Sequence, residues 1–317
     1  MKGFRNITGN KLQILLTALV LLFCKPVFSQ QETDPVYSQY MNNLMSINPA
    51  YTAVRGVGNI SGVFRNQWVN LGPMTSSLTF SMPIDSFHMG LGADFLYDNT
   101  KAMTTTGLFL NYSYKIKATE SSMISFGLKA GVNYLQANLD ELYRHDYDDE
   151  YILKYGDDYR RVLFNTGVGI FWYSRDFYAG ISVPRLIENR YIKEKTVVEA
   201  NSREKQHYFI QGAYMIDLSK DVSFKPGIMT IMTAGAPLTA DFDFSFMFYE
   251  KLWFGVVYRI SDAIGAYAQF QYQNMKIGFS YDYTHNRLRE FQNGTFEVMV
   301  RFDFKTKETQ LFPGLTF

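Results

Sequence analysis

The residues able to do chemistry are few. Four histidines, His88, His145, His207 and His285, are the only imidazoles. No two stand at the i, i+4 spacing with which a helix presents a metal, and strands would not use that spacing. His88 and Asp94 share one face of an alternating segment. That is a pairing a membrane hydrolase would use, but a histidine satisfied inside a lumen explains both residues more simply and is preferred. The run Asp146-Tyr147-Asp148-Asp149-Glu150 is acidic enough for calcium. It lacks the glycine and ligand spacing of an EF-hand loop, so a solvated surface loop is expected. We therefore expect no catalytic residues, no metal site and no cofactor.

The elements that carry these residues begin after a targeting segment. Lys2, Arg5 and Lys11, an apolar run over 12–24, and Val27-Phe28-Ser29 describe a secretory signal peptide over residues 1–29. Bulky Phe23 stands where a lipoprotein site wants a small residue, which argues against lipidation at Cys24. Cutting after Ser29 leaves no cysteine, which excludes a disulfide scaffold and a cysteine zinc site. It also removes four basic groups (Lys2, Arg5, Lys11, Lys25) and no acidic one, taking the formal charge from +1 to −3. That balance disfavours nucleic acid as a partner.

Hydrophobic residues make up 47% of the chain and aromatics 17%. Beyond the signal no stretch approaches the roughly 20 apolar residues of a transmembrane helix. The apolar material alternates instead. Phe87, Met89, Leu91, Ala93, Phe95 and Tyr97 interleave with His88, Gly90, Gly92 and Asp94; Ala240, Phe242, Phe244, Phe246 and Phe248 interleave with Asp241, Asp243 and Ser245. Strand side chains point alternately to opposite faces, so each segment has one face for lipid and one Gly, Ser, Lys and Asn face for a lumen. Segments of this kind cover 60–68, 75–82, 87–97, 108–116, 124–134, 162–173, 177–183, 206–216, 222–232, 240–249, 252–260, 263–273, 275–283 and 295–304. The segment 222–232 has the weakest pattern, because Pro226 interrupts it.

Tight links fall at 83–86, 118–121, 174–176, 218–221, 249–251 and 273–274, while the longest links are 136–161, 184–205 and 284–294. Long loops at one end, tight turns at the other and an even strand count give the fold class: all-β, a transmembrane outer-membrane β-barrel of about 14 antiparallel strands. A soluble sandwich would also alternate, but seldom places so many Gly and Ser on its second face. Both termini are then periplasmic. The domains expected are a periplasmic N-terminal leader over 30–57, the barrel over 58–304 and a periplasmic tail over 305–317.

The sequence resembles the PorP/SprF family, outer-membrane proteins associated with the type IX secretion system. The likeness spans nearly the whole mature chain. It rests on Asp34-Pro35 with Tyr37-Ser38-Gln39-Tyr40, on Asn48-Pro49-Ala50-Tyr51, on Arg65 with Gln67-Trp68, and on Gly72-Pro73. Further along it rests on Gly180-Ile181-Ser182-Val183-Pro184, Trp253-Phe254-Gly255 and Tyr281-Asp282-Tyr283-Thr284. Where the family often shows Gly-Ser-His-Glu, this chain has Gly294-Thr295-Phe296-Glu297, which removes any reason to assign acid–base chemistry there. The resemblance implies a non-enzymatic role in secretion and gliding motility: delivering or anchoring secreted surface adhesins through their C-terminal sorting domains. Periplasmic components of the type IX secretion and motility apparatus are further implied partners, with lipid around the barrel and no nucleic acid. A porin-like channel for small solutes is the alternative.

Three groups of residues are candidates for partner binding. Tyr37, Gln39, Tyr40, Asn48 and Pro49 lie in a leader too polar to span a membrane and too aromatic to leave in water, so it either plugs the barrel or meets a periplasmic partner. Arg65, Gln67 and Trp68 stand at a strand end, as a partner contact or as a lumen charge and interfacial aromatic. Tyr147, Tyr151 and Tyr155 belong to a series recurring every fourth residue in 136–161, with charges around it that would steer cargo. Inward charges on the late strands (Asp241, Asp243, Arg259, Lys276, Asp282, Glu297, Arg301, Asp303) are mixed in sign, which suits a salt-bridged interior better than an ion filter.

Overall fold

The computed structural model describes residues 36–69, 72–84, 88–100, 103–137, 159–190 and 203–305. Fourteen antiparallel strands form the wall: β1 (Gly58–Asn66), β2 (Met74–Ile84), β3 (Met89–Thr100), β4 (Met103–Lys117), β5 (Ser122–Ala137), β6 (Tyr159–Ser174) and β7 (Phe177–Val183). They continue as β8 (His207–Tyr214, resumed at Ile216–Asp217), β9 (Val222–Thr233), β10 (Thr239–Phe248), β11 (Leu252–Arg259), β12 (Ala263–Tyr272), β13 (Met275–Thr284) and β14 (Thr295–Phe304). Each strand pairs with its neighbours in sequence, and β1 pairs with β14 from Gly58↔Phe304 to Asn66↔Phe296. The ring is closed and no sheet edge is left for stray pairing.

Alternation sets the two faces. Leu108, Leu110, Val162, Phe244 and Phe279 are among the large apolar residues exposed on the outside. Thr75, Ser77, Thr79 and Ser81 of β2 point inward and are buried, as are Ser113, Ser125 and Ser280. Among the described residues no helix is long and apolar enough to cross a membrane, so the apolar belt on the strands is the surface that meets lipid.

Two details depart from the alternating pattern, each for a local reason. β4, β5 and β6 run several residues past their alternating stretches; Thr104, Thr105 and Thr106 carry β4 onward, since β-branched residues hold a ladder whether or not one face is apolar. Pro226 sits within β9 and pairs in register with Phe244 of β10. On its other side the β8 ladder stops between Ala213↔Gly227 and Ile216↔Phe224, because proline has no N–H to give there.

The tight links gather at one end of the ring, where β1 begins and β14 ends, and the longest connections lie at the other. Two links at that other end are also short, 100–103 and 259–263. The core lies inside the ring and is built around the segment that precedes β1.

Candidate functional site

From Val36 the chain runs inside the barrel toward the short-turn end, where it becomes β1. The aromatics of this segment find cover against the inner wall, and it takes three short helical turns instead of an extended path: Tyr40–Asn42, Leu44–Ile47 and Pro49–Tyr51. Asn48 caps the last of them, its Oδ1 accepting from the Ala50 N–H at 3.0 Å with Pro49 at the first helical position. Each turn is too short to satisfy its own backbone, so the wall supplies partners. Lys129 Nζ donates to the Ser46 carbonyl (2.9 Å), Ser182 Oγ to that of Ile47 (2.8 Å), Ser113 Oγ to that of Thr52 (2.8 Å) and Lys115 Nζ to that of Ala53 (2.6 Å).

Glycines on the inner face make room for this backbone. A Cβ on Gly127 would lie 2.0 Å from the Ala50 nitrogen, and one on Gly169 would lie 2.1 Å from Asn48 Oδ1. Between them the Asn48 amide also reaches the Ile170 carbonyl at 3.2 Å. The glycine-rich face is thus fitted to a second layer of protein.

A charged cluster fixes the upper end of the segment, near the long loops. Glu297 of β14 accepts from the backbone N–H groups of Ser38 and Gln39, both at 2.9 Å. Arg65 of β1 donates to Glu297 (3.1 Å), to Asp282 of β13 (3.2 Å) and to Ser38 Oγ (3.0 Å), and Ser38 Oγ donates to Asp282. Gln269 Nε2 donates to Gln39 Oε1 at 2.9 Å. Arg65 and Glu297 are almost fully buried, so each depends on the other for neutralisation.

Below this cluster the filling is apolar. Tyr40, Leu44, Met45, Tyr51 and Val54 pack with inward-facing Phe171, Tyr173, Tyr178, Phe209, Met229, Trp253 and Met299. Tyr51 meets Phe171 edge-on at 5.3 Å, and Phe171 stacks on Tyr178 at 5.2 Å. The sequence pattern assigns the lumen a small or polar face; part of the inner face is aromatic because it covers a plug instead of water. Burial, with Asp94 next in effect, pushes the Tyr37 phenol up, so it stays neutral.

Tyr37, Gln39, Tyr40, Asn48, Pro49, Arg65 and Gln67 are all buried inside this assembly. Over its described part, the leader expected at 30–57 lies inside the barrel. Gln67 and Trp68 form the β1–β2 turn: the Gln67 N–H donates to the Pro73 carbonyl (3.0 Å), that of Gly72 to Trp68 (2.9 Å), and half-buried Trp68, at φ 48°, donates its N–H to Thr295 Oγ1 (3.1 Å). A side chain at Gly72 would strike the Gln67 carbonyl at 2.4 Å, which accounts for the glycine. Tyr147, Tyr151, Tyr155 and the acidic run at 146–150 lie outside the described residues. His88 and Asp94 are six positions apart along an extended strand, about 20 Å. Asp94 pairs with Lys129 at 2.8 Å.

The lumen charges were legible as residue types, but not the use of Glu297 to hold a main chain. The signal for it was one feature: Glu297 and Asp282 share an inward patch in which Arg65 pairs with both, leaving carboxylate oxygens for other donors.

The sequence matches the family described as type IX secretion system membrane protein PorP/SprF over residues 29–302. No curated protein matches the chain in sequence. Solved structures with a similar fold include the CymD monoaromatic hydrocarbon channel (8% identity, 86% of this chain and 94% of that one, TM-score 0.51). Others are the Acinetobacter baumannii outer membrane protein Omp33 (8%, 78% and 98%, TM-score 0.46) and the NanC porin (10%, 78% and 100%, TM-score 0.41). At such identities the likeness is one of fold.

Proposed function

Because the chain belongs to the PorP/SprF family of type IX secretion system membrane proteins, we propose that this outer-membrane barrel is a non-enzymatic anchor. It delivers or holds secreted surface adhesins through their C-terminal sorting domains. Both termini face the periplasm in this reading, and periplasmic components of the secretion and motility apparatus meet that end. Cargo meets the loops at the other end, with Tyr147, Tyr151 and Tyr155 of 136–161 as the contact residues.

The observation that carries the reading is the filled lumen. A solute pore needs a continuous wet path, and here the segment 36–54 fills the barrel from the Arg65–Glu297 cluster down to the short-turn rim. A filled barrel suits a protein that binds at its ends better than one that conducts through its middle. The fold shared with a hydrocarbon channel leaves the porin-like alternative as the competitor.

The deciding experiment removes the protein from cells and measures adhesin on the surface, alongside planar-bilayer conductance of the purified barrel. Lost adhesin display with a silent barrel is expected. Unchanged display together with steady conductance would replace the anchor by a channel.

A further inference from the structure

Beside β7 the wall is uneven in height. The β5–β6 ladder reaches from Ser122↔Ser174 to Ala137↔Tyr159, whereas the β6–β7 ladder stops at Val168↔Val183. Below that pair the ring is closed. Above it β6 overhangs, and its residues 159–167 have no strand neighbour on the β7 side among the described residues. After Val183 the chain turns across the inner face of β6, where a Cβ on Gly167 would lie 2.4 Å from the Pro184 carbonyl oxygen. Single contacts stand in for the ladder there. The Leu186 N–H donates to the Thr166 carbonyl (2.8 Å) and Asn189 Nδ2 to that of Phe164 (3.0 Å). Asn165 brackets Ile187, donating to its carbonyl at 2.9 Å and accepting from its N–H at 3.0 Å.

In an antiparallel strand the N–H and C=O of one residue point the same way, and alternate residues share a side. Thr166 turns its carbonyl toward Leu186, so Phe164 and Val162 present their backbone on that side too. The Thr166 N–H is met by Asn165 Oδ1 at 2.9 Å. The Phe164 N–H, and both the N–H and the C=O of Val162, have no hydrogen bond among the described residues. They sit beside apolar side chains. Val162 is 66% exposed and Phe164 52%, and both face outward with the apolar belt. Lipid tails offer such an edge no hydrogen bond. An extended backbone does, with a donor and an acceptor at every second residue.

We propose that the β6 overhang around Val162 is a docking edge for a β-strand of the secreted partner. The strand adds to β6 by backbone pairing, and its apolar side chains continue the surface made by Val162 and Phe164. The choice of partner rests on the reading above, because the overhang stands at the long-loop end, where cargo meets the barrel. The short β7 is what leaves this edge open, since a strand as long as β6 would occupy it.

A photoreactive benzoylphenylalanine in place of Val162 tests this with the full-length protein in intact cells. Val168, on the same face but paired to Val183, is the control position. A covalent adduct with a secreted surface protein, identified by mass spectrometry, is expected at Val162 and not at Val168. Adducts only within this chain, adducts only with a second copy, equal adducts at both positions, or none at all overturn the edge. Val162→Pro deletes one edge N–H and spares the β5 ladder, to which this residue gives no hydrogen bond. It should lower the adhesin retained on the purified barrel by roughly fivefold to tenfold, the scale of one lost backbone hydrogen bond. Val162→Ala should retain it, and heat-modifiable mobility checks that each variant is folded. Equal retention by the two variants also overturns the edge. Loss of adhesin on removing the protein, without an adduct at Val162, would strike this edge and leave the anchor standing.

Discussion

Glu297 accepts the backbone N–H of Ser38 at 2.9 Å, across 259 positions of sequence. One carboxylate on the last strand thereby fixes the main chain of the segment that precedes the first strand. The same carboxylate neutralises Arg65 on β1, the neighbour to which β14 is zipped. Closure of the ring and seating of the plug therefore share a residue: the strand pair that seals the barrel also presents the grip on its contents.

Removing that grip should free the plug while sparing the wall. Glu297→Ala leaves Arg65 with Asp282 alone and strips two backbone N–H groups of their acceptor. Breaking a buried ion pair costs about 3–5 kcal/mol, which we expect to fall on plug seating, since the strand ladder itself is unaltered. Limited proteolysis should cut within 36–57 in the variant but not in the parent, with heat-modifiable gel mobility retained by both. Equal protection of 36–57 would show that the apolar packing alone holds the plug.

The glycine face offers a steric version of the experiment. Gly127→Val drives a side chain into the Ala50 and Pro49 backbone, at 2.0 and 2.3 Å, and backbone has no rotamer with which to yield. At Gly62 the nearest atom to an added Cβ is 3.9 Å away, so Gly62→Ala is the matched control. Expelling the plug should turn a silent barrel into a conducting one in planar bilayers, for Gly127→Val only. A silent Gly127→Val barrel would mean the segment reseats around the side chain.

The wall was legible in the sequence because lipid tests only one face of each strand. Leu108 and Leu110, or Phe244 and Phe246, are apolar at every second position whatever lies inside, so strand existence and facing followed from period two. The interior was harder to read. Phe171, Tyr173 and Phe209 point inward, and in sequence they look like membrane-facing aromatics; a plug hides an aromatic ring as well as lipid does. The three turns of the plug are three or four residues each, shorter than any helical period can register. The motifs Asn48-Pro49 and Gln67-Trp68 stood out as groups, but their jobs, a cap and a turn closure, use carbonyls and N–H groups that no sequence pattern displays.

Orientation is a separate prediction, because loop lengths carry it. The one cysteine, Cys24, falls within the segment expected to be cut off as a signal peptide, so single substitutions are expected to report cleanly. Cysteines at Asp148, Glu194 and Arg289 should react with an impermeant maleimide on intact cells. Those at Glu120 and Lys220, beside the tight links, should react only after the outer membrane is breached. The opposite pattern would invert the barrel and put the long connections in the periplasm.

The cargo surface gives the last prediction. The stretch 136–161, which takes in the facing ends of β5 and β6, carries eight acidic residues (Asp140, Glu141, Asp146, Asp148, Asp149, Glu150, Asp157, Asp158) against four Arg or Lys, two of which (Arg160, Arg161) lie on β6, and 184–205 carries six basic against four acidic. Within the first, tyrosine recurs at 143, 147, 151 and 155, a spacing that on a helix makes a drifting aromatic stripe, and the next in the series, Tyr159, opens β6. Tyrosine gives rigid contact area with a polar tip, and surrounding charge steers a partner's approach. Two loops of opposite bias also suit a lid in which the charges merely pair with one another. The two readings separate on the tyrosines, since a charge-paired lid has no need of them. Tyr147→Ser, Tyr151→Ser and Tyr155→Ser together should leave the barrel assembled and heat-modifiable. Loss of about 2 kcal/mol or more of docking energy, the scale of an interface hot spot, would cut adhesin on the cell surface severely. Adhesin counted by antibody on intact cells checks this, and an unchanged count assigns the loops to a lid and places the cargo contact elsewhere.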